Sequence, residues 1–188
     1  MNLISNLDKV FWPDKGYTKL DLARFYQAIF PKLKPYVAGR MLTMERCPDG
    51  MLGECFYQKE APDSLPGGTP TKLIHHANRD VQYVVGGSLE TQLALVNLGC
   101  IPVHVWQSRA AHEYLPDWIV FDLDPGSGEF ADAARVGMIV KAALDDVGLV
   151  SFPKTSGSRG LHVLVPLRIG PDFDEVLSFA EKLCERLV

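Results

Sequence analysis

Strand-like and helix-like segments alternate along this chain, and that alternation limits its possible folds more than any other feature of the sequence. Residues 130–147 carry apolar side chains at helical spacing, namely Ala133, Val136, Val140 and Leu144. Apolar segments of strand length precede this helix at 118–124 and follow it at 150–154 and 161–167. Because several connections are as short as those of hairpins, we predict an α+β fold with flanking helices on a mixed β-sheet, rather than a doubly wound parallel sheet.

Three further helices are predicted from their end signals. Thr18 begins a capping-box pattern, and the helix that starts there is expected to end or kink at Pro31. Ser88 begins a second helix, and either Asp172 or Asp174 caps a last one that runs to the end of the chain. Additional strands are predicted at residues 41–45, 55–57, 81–85 and 101–106.

The composition is that of a globular protein, because 47% of the 188 residues are hydrophobic and 22% are charged. This length predicts a single domain over residues 1–188. No apolar run approaches the ~18 residues that a membrane span needs. Residues 1–9 lack the basic and apolar regions of a secretory signal, so we expect a cytoplasmic protein.

The net charge of −4 is unevenly distributed. Residues 61–150 carry five Lys or Arg against eleven Asp or Glu, whereas residues 1–60 carry nine against seven and residues 151–188 carry five against five. The acidic excess therefore lies in the middle of the chain, where carboxylates could hold a divalent cation. The neutral or basic ends leave contacts with nucleic-acid phosphates possible.

The cysteines form no pattern that is typical of a metal site or a disulfide framework. They stand at positions 47, 55, 100 and 184, without a Cys-x-x-Cys pair. We therefore expect four reduced thiols, partly in the core. A metal site that joins His75 and His76 to Cys47 and Cys55 is disfavoured, because adjacent histidines on a strand point to opposite faces.

The strongest chemical signal is the sequence Asp-Leu-Asp-Pro-Gly at residues 122–126. An apolar strand runs directly into it and Pro-Gly ends that strand, so both carboxylates stand at a strand end. Residues two apart on a strand face the same side, which places Asp122 beside Asp124. Paired oxygen ligands of this kind suit Mg²⁺ or Mn²⁺, and a two-metal site would stabilise the attacking and leaving oxygens of a displacement at phosphorus. The alternative is an ordinary strand and turn with both acids solvated.

A second signal is the segment Lys-Thr-Ser-Gly-Ser-Arg-Gly-Leu-His at residues 154–162. Its two glycines allow a tight turn that presents backbone N–H groups. Hydroxyls at Ser156 and Ser158 and positive charges at Lys154 and Arg159 make it a candidate phosphate cradle. His162, at the start of the next strand, could donate to a phosphate oxygen. An ordinary hairpin turn is the alternative.

Eight motifs occur in one order along the chain and together resemble a known family. They are residues 6–13 (NLDKVFWP), 16–19 (GYTK), 39–40 (GR), 46–50 (RCPDG), 56–59 (FYQK), 103–106 (VHVW), 121–126 (FDLDPG) and 154–162 (KTSGSRGLH). The match runs from about residue 5 to residue 168. It resembles the polymerase domain of bacterial ATP-dependent DNA ligase D, a primase-polymerase of the archaeo-eukaryotic primase superfamily that acts in non-homologous end joining.

The resemblance implies a template-directed nucleotidyltransferase that adds nucleotides at a DNA break with Mn²⁺ or Mg²⁺. Asp122 and Asp124 would ligate the metals. His104, a lone histidine on an apolar strand, would join Ser156 and His162 in binding the phosphates of the incoming nucleoside triphosphate. A DNA ligase and a Ku-type end-binding protein are the partners that the resemblance implies.

The resemblance also implies contacts with the DNA itself. Lys9 and Lys19 fall where family members recognise the 5′-phosphate of the downstream strand. Phe56 or Tyr57 falls where an aromatic side chain stacks on a template base, a role that suits the face of a π-system.

The sequence departs from the family pattern in one respect. Such domains continue further and place a third metal-binding aspartate on a later strand, which has no counterpart here before residue 188. We therefore expect a domain truncated at its C-terminal side. A non-catalytic module that binds 5′-phosphorylated DNA ends is the alternative function. An aspartyl-phosphate hydrolase is disfavoured, because Gly126 stands where that chemistry usually has Thr or Val.

Overall fold

The computed structural model describes residues 4–187 and divides the chain into two compact units, one up to Trp106 and one from Gln107 onward. Each unit combines helices with β-strands, so the predicted α+β class is confirmed. The strand pairs of residues 4–187 are all antiparallel rather than mixed, and short hairpin-like connections, which suit antiparallel pairing, join several of them. The single domain expected from chain length stays a prediction. Among residues 4–187, no helix is both long enough and apolar enough to cross a bilayer.

From residue 4 to Trp106, the first unit contains two helices and seven strands. The helices are α1 (Lys19–Val37) and α2 (Leu89–Asn97). The strands are β1 (Val10–Trp12), β2 (Tyr17–Thr18), β3 (Met41–Arg46), β4 (Phe56–Gln58), β5 (Thr71–His75), β6 (Asp80–Val85) and β7 (Cys100–Val105). Strand β3 pairs with β4, β6 and β7, and β5 extends the sheet through β6. Helix α2 contributes Leu95 to the core beneath this sheet and Val96 to the core beneath α1.

Helix α1 begins as its sequence predicts but does not end at Pro31. Thr18 and Asp21 form a complete capping box, in which each side chain bonds the backbone N–H of the other residue. The helix continues through Pro31 and Pro35 to Val37. Each proline removes a backbone hydrogen bond, at a cost of about 3 kcal/mol. Burial of apolar residues on both sides of these positions, such as Phe30 and Val37, offsets that cost.

The described part of the second unit, up to residue 187, contains two helices and five strands. They are β8 (Ser108–Arg109), β9 (His112–Pro116), β10 (Trp118–Leu123), α3 (Phe130–Asp146), β11 (Phe152–Thr155), β12 (Leu161–Pro166) and α4 (Phe173–Glu185). A three-stranded antiparallel sheet has the order β10-β12-β11. Its buried face is covered by apolar residues of α3 and α4, and Asp172 is the residue that caps α4. That helix ends at Glu185 rather than at the last residue.

The structure contradicts the prediction of four reduced cysteines. Cys47 and Cys55 form a disulfide, with a Cα–Cα distance of 4.3 Å. The pairing follows from the hairpin of β3 and β4, in which Arg46 lies opposite Phe56, so the next residue outward on each strand also comes face to face. Cys100, which is buried, and Cys184, which is exposed, are the free thiols of the described chain.

Candidate active site

The carboxylate pair stands at the exposed end of β10. Ile119 and Phe121 point into the core of the second unit and alternate with half-buried residues on the other face of the strand. The alternation places Asp122 on the other face, where 71% of its side chain is exposed. Asp124 follows the strand, and its Oδ1 atom accepts a hydrogen bond of 3.0 Å from the N–H of Gly126. The two acids therefore share an exposed strand end, as their spacing predicts.

Three side chains form a row across the sheet beside this strand end. His162 on β12 lies directly opposite both Asp122 on β10 and Lys154 on β11. Directly paired residues project from the same face of a sheet, so the row runs from carboxylate to imidazole to ammonium. Nε2 of His162 lies 3.5 Å from Oδ1 of Asp122. The sheet thus brings the acidic motif and both ends of the predicted cradle together.

The loop of residues 156–160, which we call the serine loop, lies against the end of β10. Its ends are joined by a hydrogen bond of 3.2 Å from the N–H of Ser156 to the carbonyl of Gly160. A Cβ atom on Gly160 would lie 2.9 Å from Oγ of Ser156 and 3.1 Å from the carbonyl oxygen of Leu123. Only glycine allows this approach without displacing either neighbour. Ser158 lies exposed in the same loop.

Arg159 makes its contacts with the turn that follows the carboxylates. Its Nη1 and Nη2 atoms donate to the carbonyl oxygens of Gly128 and Gly126, at 3.1 Å and 3.0 Å. The guanidinium therefore ties the serine loop to the turn after Asp124. Its predicted contact with a nucleotide phosphate stays a prediction.

A depression of about 230 Å³ lies beside the two carboxylates and includes a third acid, Asp132. Asp132 closes the capping box of α3, where it accepts a hydrogen bond of 3.1 Å from the N–H of Glu129. That bond and the charge of Arg135 hold the pKa of Asp132 below its usual value. The carboxylate of Asp132 therefore caps the start of α3. Within residues 4–187, no three His, Cys, Asp or Glu side chains are grouped as metal ligands.

In the first unit, the two predicted phosphate-binding lysines lie in different surroundings. Lys9 is partly exposed, and its ammonium lies 2.7 Å from Oδ1 of Asp49. Lys19 is only 5% exposed, and its Nζ atom donates to the backbone oxygen and to Oδ1 of Asn97, at 2.7 Å and 3.0 Å. Burial, and then the nearby charge of Lys9, lower the pKa of the Lys19 ammonium.

The N–H groups at the start of α1 already have hydrogen-bond acceptors within the chain. The N–H of Lys19 donates to the carbonyl of Lys9, and that of Leu20 donates to the carbonyl of Leu7. The N–H of Asp21 donates to Oγ1 of Thr18. These three N–H groups are therefore not available to a phosphate, whereas the lysine ammonium groups carry positive charge.

The predicted aromatic residues take opposite faces of the first unit's sheet, since Phe56 and Tyr57 are neighbours on β4. The Arg46 guanidinium lies over the Phe56 ring, 5.4 Å from its centroid. The Tyr57 ring lies 5.3 Å from the His104 ring. Both aromatic side chains are exposed.

Sequence reasoning missed Glu45 and Asn97 entirely. Oε2 of Glu45 lies 3.0 Å from Nε2 of His104, and Asn97 receives the buried ammonium of Lys19. Neither residue belongs to a motif, and their partners lie 59 and 78 positions away along the chain. Only the register of β3 with β7 and the packing of α1 on α2 bring them together.

Comparison with known protein families and solved structures shows the family to which these elements and side chains correspond. The family model described as "LigD, primase-polymerase domain" matches residues 18–188. The chain belongs to this family. Among solved structures, the polymerase domain of Mycobacterium tuberculosis ligase D in complex with DNA superimposes with a TM-score of 0.90 at 31% identity, covering 98% of this chain and 67% of that one. The family resemblance seen in the motifs is thereby confirmed.

Curated relatives of this family are much longer than this chain. The multifunctional non-homologous end joining protein LigD of Mycolicibacterium smegmatis is 33% identical over 87% of this chain and 22% of its own length. The LigD protein of Pseudomonas aeruginosa is 31% identical over 98% of this chain and 22% of its own length. The bifunctional LigD of Bacillus subtilis is 29% identical over 96% and 29%. The chain thus spans less than a third of these relatives.

Proposed function

We propose that this chain is a template-directed nucleotidyltransferase, a DNA/RNA primase-polymerase that adds nucleotides at DNA breaks in non-homologous end joining. The observation that carries the proposal is the cross-strand row of Asp122, His162 and Lys154 at an exposed strand end, in a member of the LigD primase-polymerase family. The row combines metal-binding oxygens with phosphate-binding groups on one sheet, which is the combination that nucleotidyl transfer requires.

The donor set at the strand end fits Mg²⁺ or Mn²⁺. Asp122 and Asp124 supply hard carboxylate oxygens, and such ions are commonly held by one or two carboxylates together with substrate phosphates. When bound, the ions would neutralise phosphate charge and make the attacking hydroxyl more nucleophilic. The exposure of Asp122 leaves room for a nucleotide beside it.

The remaining residues of the row and the serine loop would bind and orient the triphosphate. His162 and Lys154 would donate to phosphate oxygens from the same sheet face, and Ser156 and Ser158 would add hydroxyl donors. Arg159 supports the site by holding the turn after Asp124 through two carbonyl groups. We propose that His104 also binds the phosphates of this nucleotide.

Contacts with DNA would come from the first unit. We propose that Lys9 and Lys19 bind the 5′-phosphate of the downstream strand, with the phosphate displacing Asp49 from its exposed ion pair with Lys9. The exposed rings of Phe56 and Tyr57 are the candidates for stacking on a template base. A ligase and a Ku-type protein are proposed as partners, and the cytoplasm as the location.

Primer extension on a gapped, 5′-phosphorylated template with Mn²⁺ tests the polymerase. The wild-type chain should add nucleotides, whereas Asp122→Ala and Asp124→Ala should add none. Asp63→Ala is the matched control, because Asp63 is an exposed acid outside the proposed site. Thermal unfolding of each variant separates loss of the site from loss of the fold. Undiminished extension by either strand-end variant contradicts the metal assignment.

A non-catalytic module for 5′-phosphorylated DNA ends is the second candidate. It is favoured by the pairing of Lys9 and Lys19, which are joined by a hydrogen bond of 2.8 Å from the N–H of Lys19 to the carbonyl of Lys9 and do not depend on Asp122 or Asp124. DNA binding measured in EDTA and primer extension measured in Mn²⁺ distinguish the two functions. Preferential binding of 5′-phosphorylated DNA together with an absence of extension in Mn²⁺ would favour the module over the enzyme.

A further inference from the structure

Asn97 is the meeting point of two segments that are far apart in sequence. Its Oδ1 atom accepts hydrogen bonds from the N–H and hydroxyl of Ser5, at 2.9 Å and 3.1 Å, and from Nζ of Lys19 at 3.0 Å. Its backbone oxygen accepts a second bond from the same ammonium, at 2.7 Å. One residue therefore fixes both the buried lysine and the start of the segment that leads to Lys9.

The position of Asn97 explains why a lysine can be buried there. Asn97 is the last residue of α2, where carbonyl groups lack partners within the helix and the helix dipole places partial negative charge. Both features stabilise an ammonium without supplying a full opposite charge. Among residues 4–187, Lys19 has no carboxylate partner and no third hydrogen-bond acceptor. Its charge is therefore held in place but not neutralised.

Two like charges held close together need an anion to offset their repulsion. Lys9 and Lys19 are neighbours in space, because the N–H of Lys19 donates to the carbonyl of Lys9 at 2.8 Å. The charge of Lys9 adds to burial in lowering the pKa of Lys19, and Asp49 bonds Lys9 rather than Lys19. A terminal phosphate carries up to two negative charges and could accept from both ammonium groups. The two ammonium groups of Lys9 and Lys19 therefore match a terminal phosphate in charge.

We infer that Asn97 is a positioning residue for 5′-phosphate recognition, because its neutral oxygens hold the Lys19 ammonium beside Lys9 and leave its charge available to the phosphate. This inference rests on the proposed function, in which Lys9 and Lys19 bind that phosphate. It assigns to Asn97 a role that depends on the neutrality of its side chain as well as on its hydrogen bonds.

Substitution by aspartate tests the inference directly. Asn97→Asp keeps the shape of the side chain and the oxygen that accepts from Ser5 and Lys19, but it places a carboxylate against the ammonium. Asn78→Asp makes the same charge change at an exposed turn between β5 and β6 and is the matched control. Each chain is titrated with gapped DNA that carries a 5′-phosphate or a 5′-hydroxyl, at moderate salt with EDTA.

We expect Asn97→Asp to unfold at the wild-type temperature or above, because the new carboxylate pairs with a buried lysine. Its preference for the 5′-phosphate should fall by about tenfold, or about 1.4 kcal/mol, while Asn78→Asp keeps the wild-type preference. A role in folding alone predicts an unchanged preference in Asn97→Asp, since every acceptor remains, and that result would overturn the inference.

Two further variants distinguish this result from failure of the proposed function. Lys9→Ala with Lys19→Ala should abolish the preference if these lysines bind the phosphate. If the wild-type chain itself shows no preference, the end-recognition role fails and the inference falls with it. If the wild type shows a preference that the lysine variants lose and Asn97→Asp keeps, only the role of Asn97 is wrong.

Discussion

Replacing Gly160 with alanine should damage the candidate active site in a way that the structure makes quantitative. The new Cβ would lie 2.9 Å from Oγ of Ser156 and 3.1 Å from the carbonyl oxygen of Leu123. Ordinary van der Waals contact begins at 3.4 Å, so both neighbours must move by a few tenths of an ångström. The Ser156 hydroxyl can rotate away, whereas the carbonyl belongs to the strand end that carries Asp122.

Overpacking of this size costs about 1–2 kcal/mol. In a chain of this length such a loss lowers the midpoint of thermal unfolding by about 2–8 °C. We expect nucleoside triphosphate binding in the presence of Mn²⁺, measured by calorimetric titration, to weaken by about two- to threefold, because a shift of a few tenths of an ångström approaches the ~0.5 Å within which the groups of a site must be held.

Gly170→Ala is the matched control for this prediction. A Cβ there would meet nothing within 4 Å, and the backbone of Gly170 has no positive φ. We expect this control to unfold within about 2 °C of the wild type and to bind nucleotide normally. Identical unfolding and binding for the two alanine variants would refute the claim that the serine loop and the strand end are held in close contact at Gly160.

Three further predictions concern the serine loop with His162, the charge of Lys19, and the cysteines. Ser156→Ala and His162→Ala should weaken the binding of nucleotide, titrated with Mn²⁺, more than the binding of DNA, because both residues lie beside the carboxylates; equal losses would place the loop against DNA. The pKa of Lys19 is lower in the folded chain than the usual 10.5, so the unfolded state binds more protons between the two values. The contribution of Lys19 to the free energy of unfolding, measured against Lys19→Met, should therefore rise with pH in that range. A fall would contradict the burial of a charged ammonium. Without reductant, iodoacetamide should label Cys184 and spare Cys100, because burial raises the pKa of Cys100 to about 12. Mass spectrometry should find two more labelled cysteines after reduction, and their labelling beforehand would contradict the disulfide.

Much of the fold could be predicted because its signals are local. The capping box at Thr18, the helix over residues 130–146 and the strand that ends at Asp122 all depend on residues within a few positions of one another. Strands β1, β2 and β8 were missed because they are short, and β5 and β9 because polar or exposed residues break their apolar pattern.

The candidate site could be predicted in its parts but not in its assembly. The spacing of Asp122 and Asp124 predicts their shared strand end, and the structure agrees. The direct opposition of Asp122, His162 and Lys154 depends on the registers of β10 and β11 with β12, which no local pattern specifies. Sequence reasoning also did not predict that Arg159 donates to backbone carbonyl groups, because Gly126 lies 33 positions away along the chain.

The sequence by itself determined the α+β class, the acidic strand end and, through its ordered motifs, the family. Tertiary structure alone decided that Lys19 is buried against Asn97, that Glu45 meets His104 and that two cysteines pair. The physical reason is the range of the interactions. Capping and side-chain alternation act over a few residues, whereas burial, strand register and the pairing of distant polar groups exist only once separate elements have packed together.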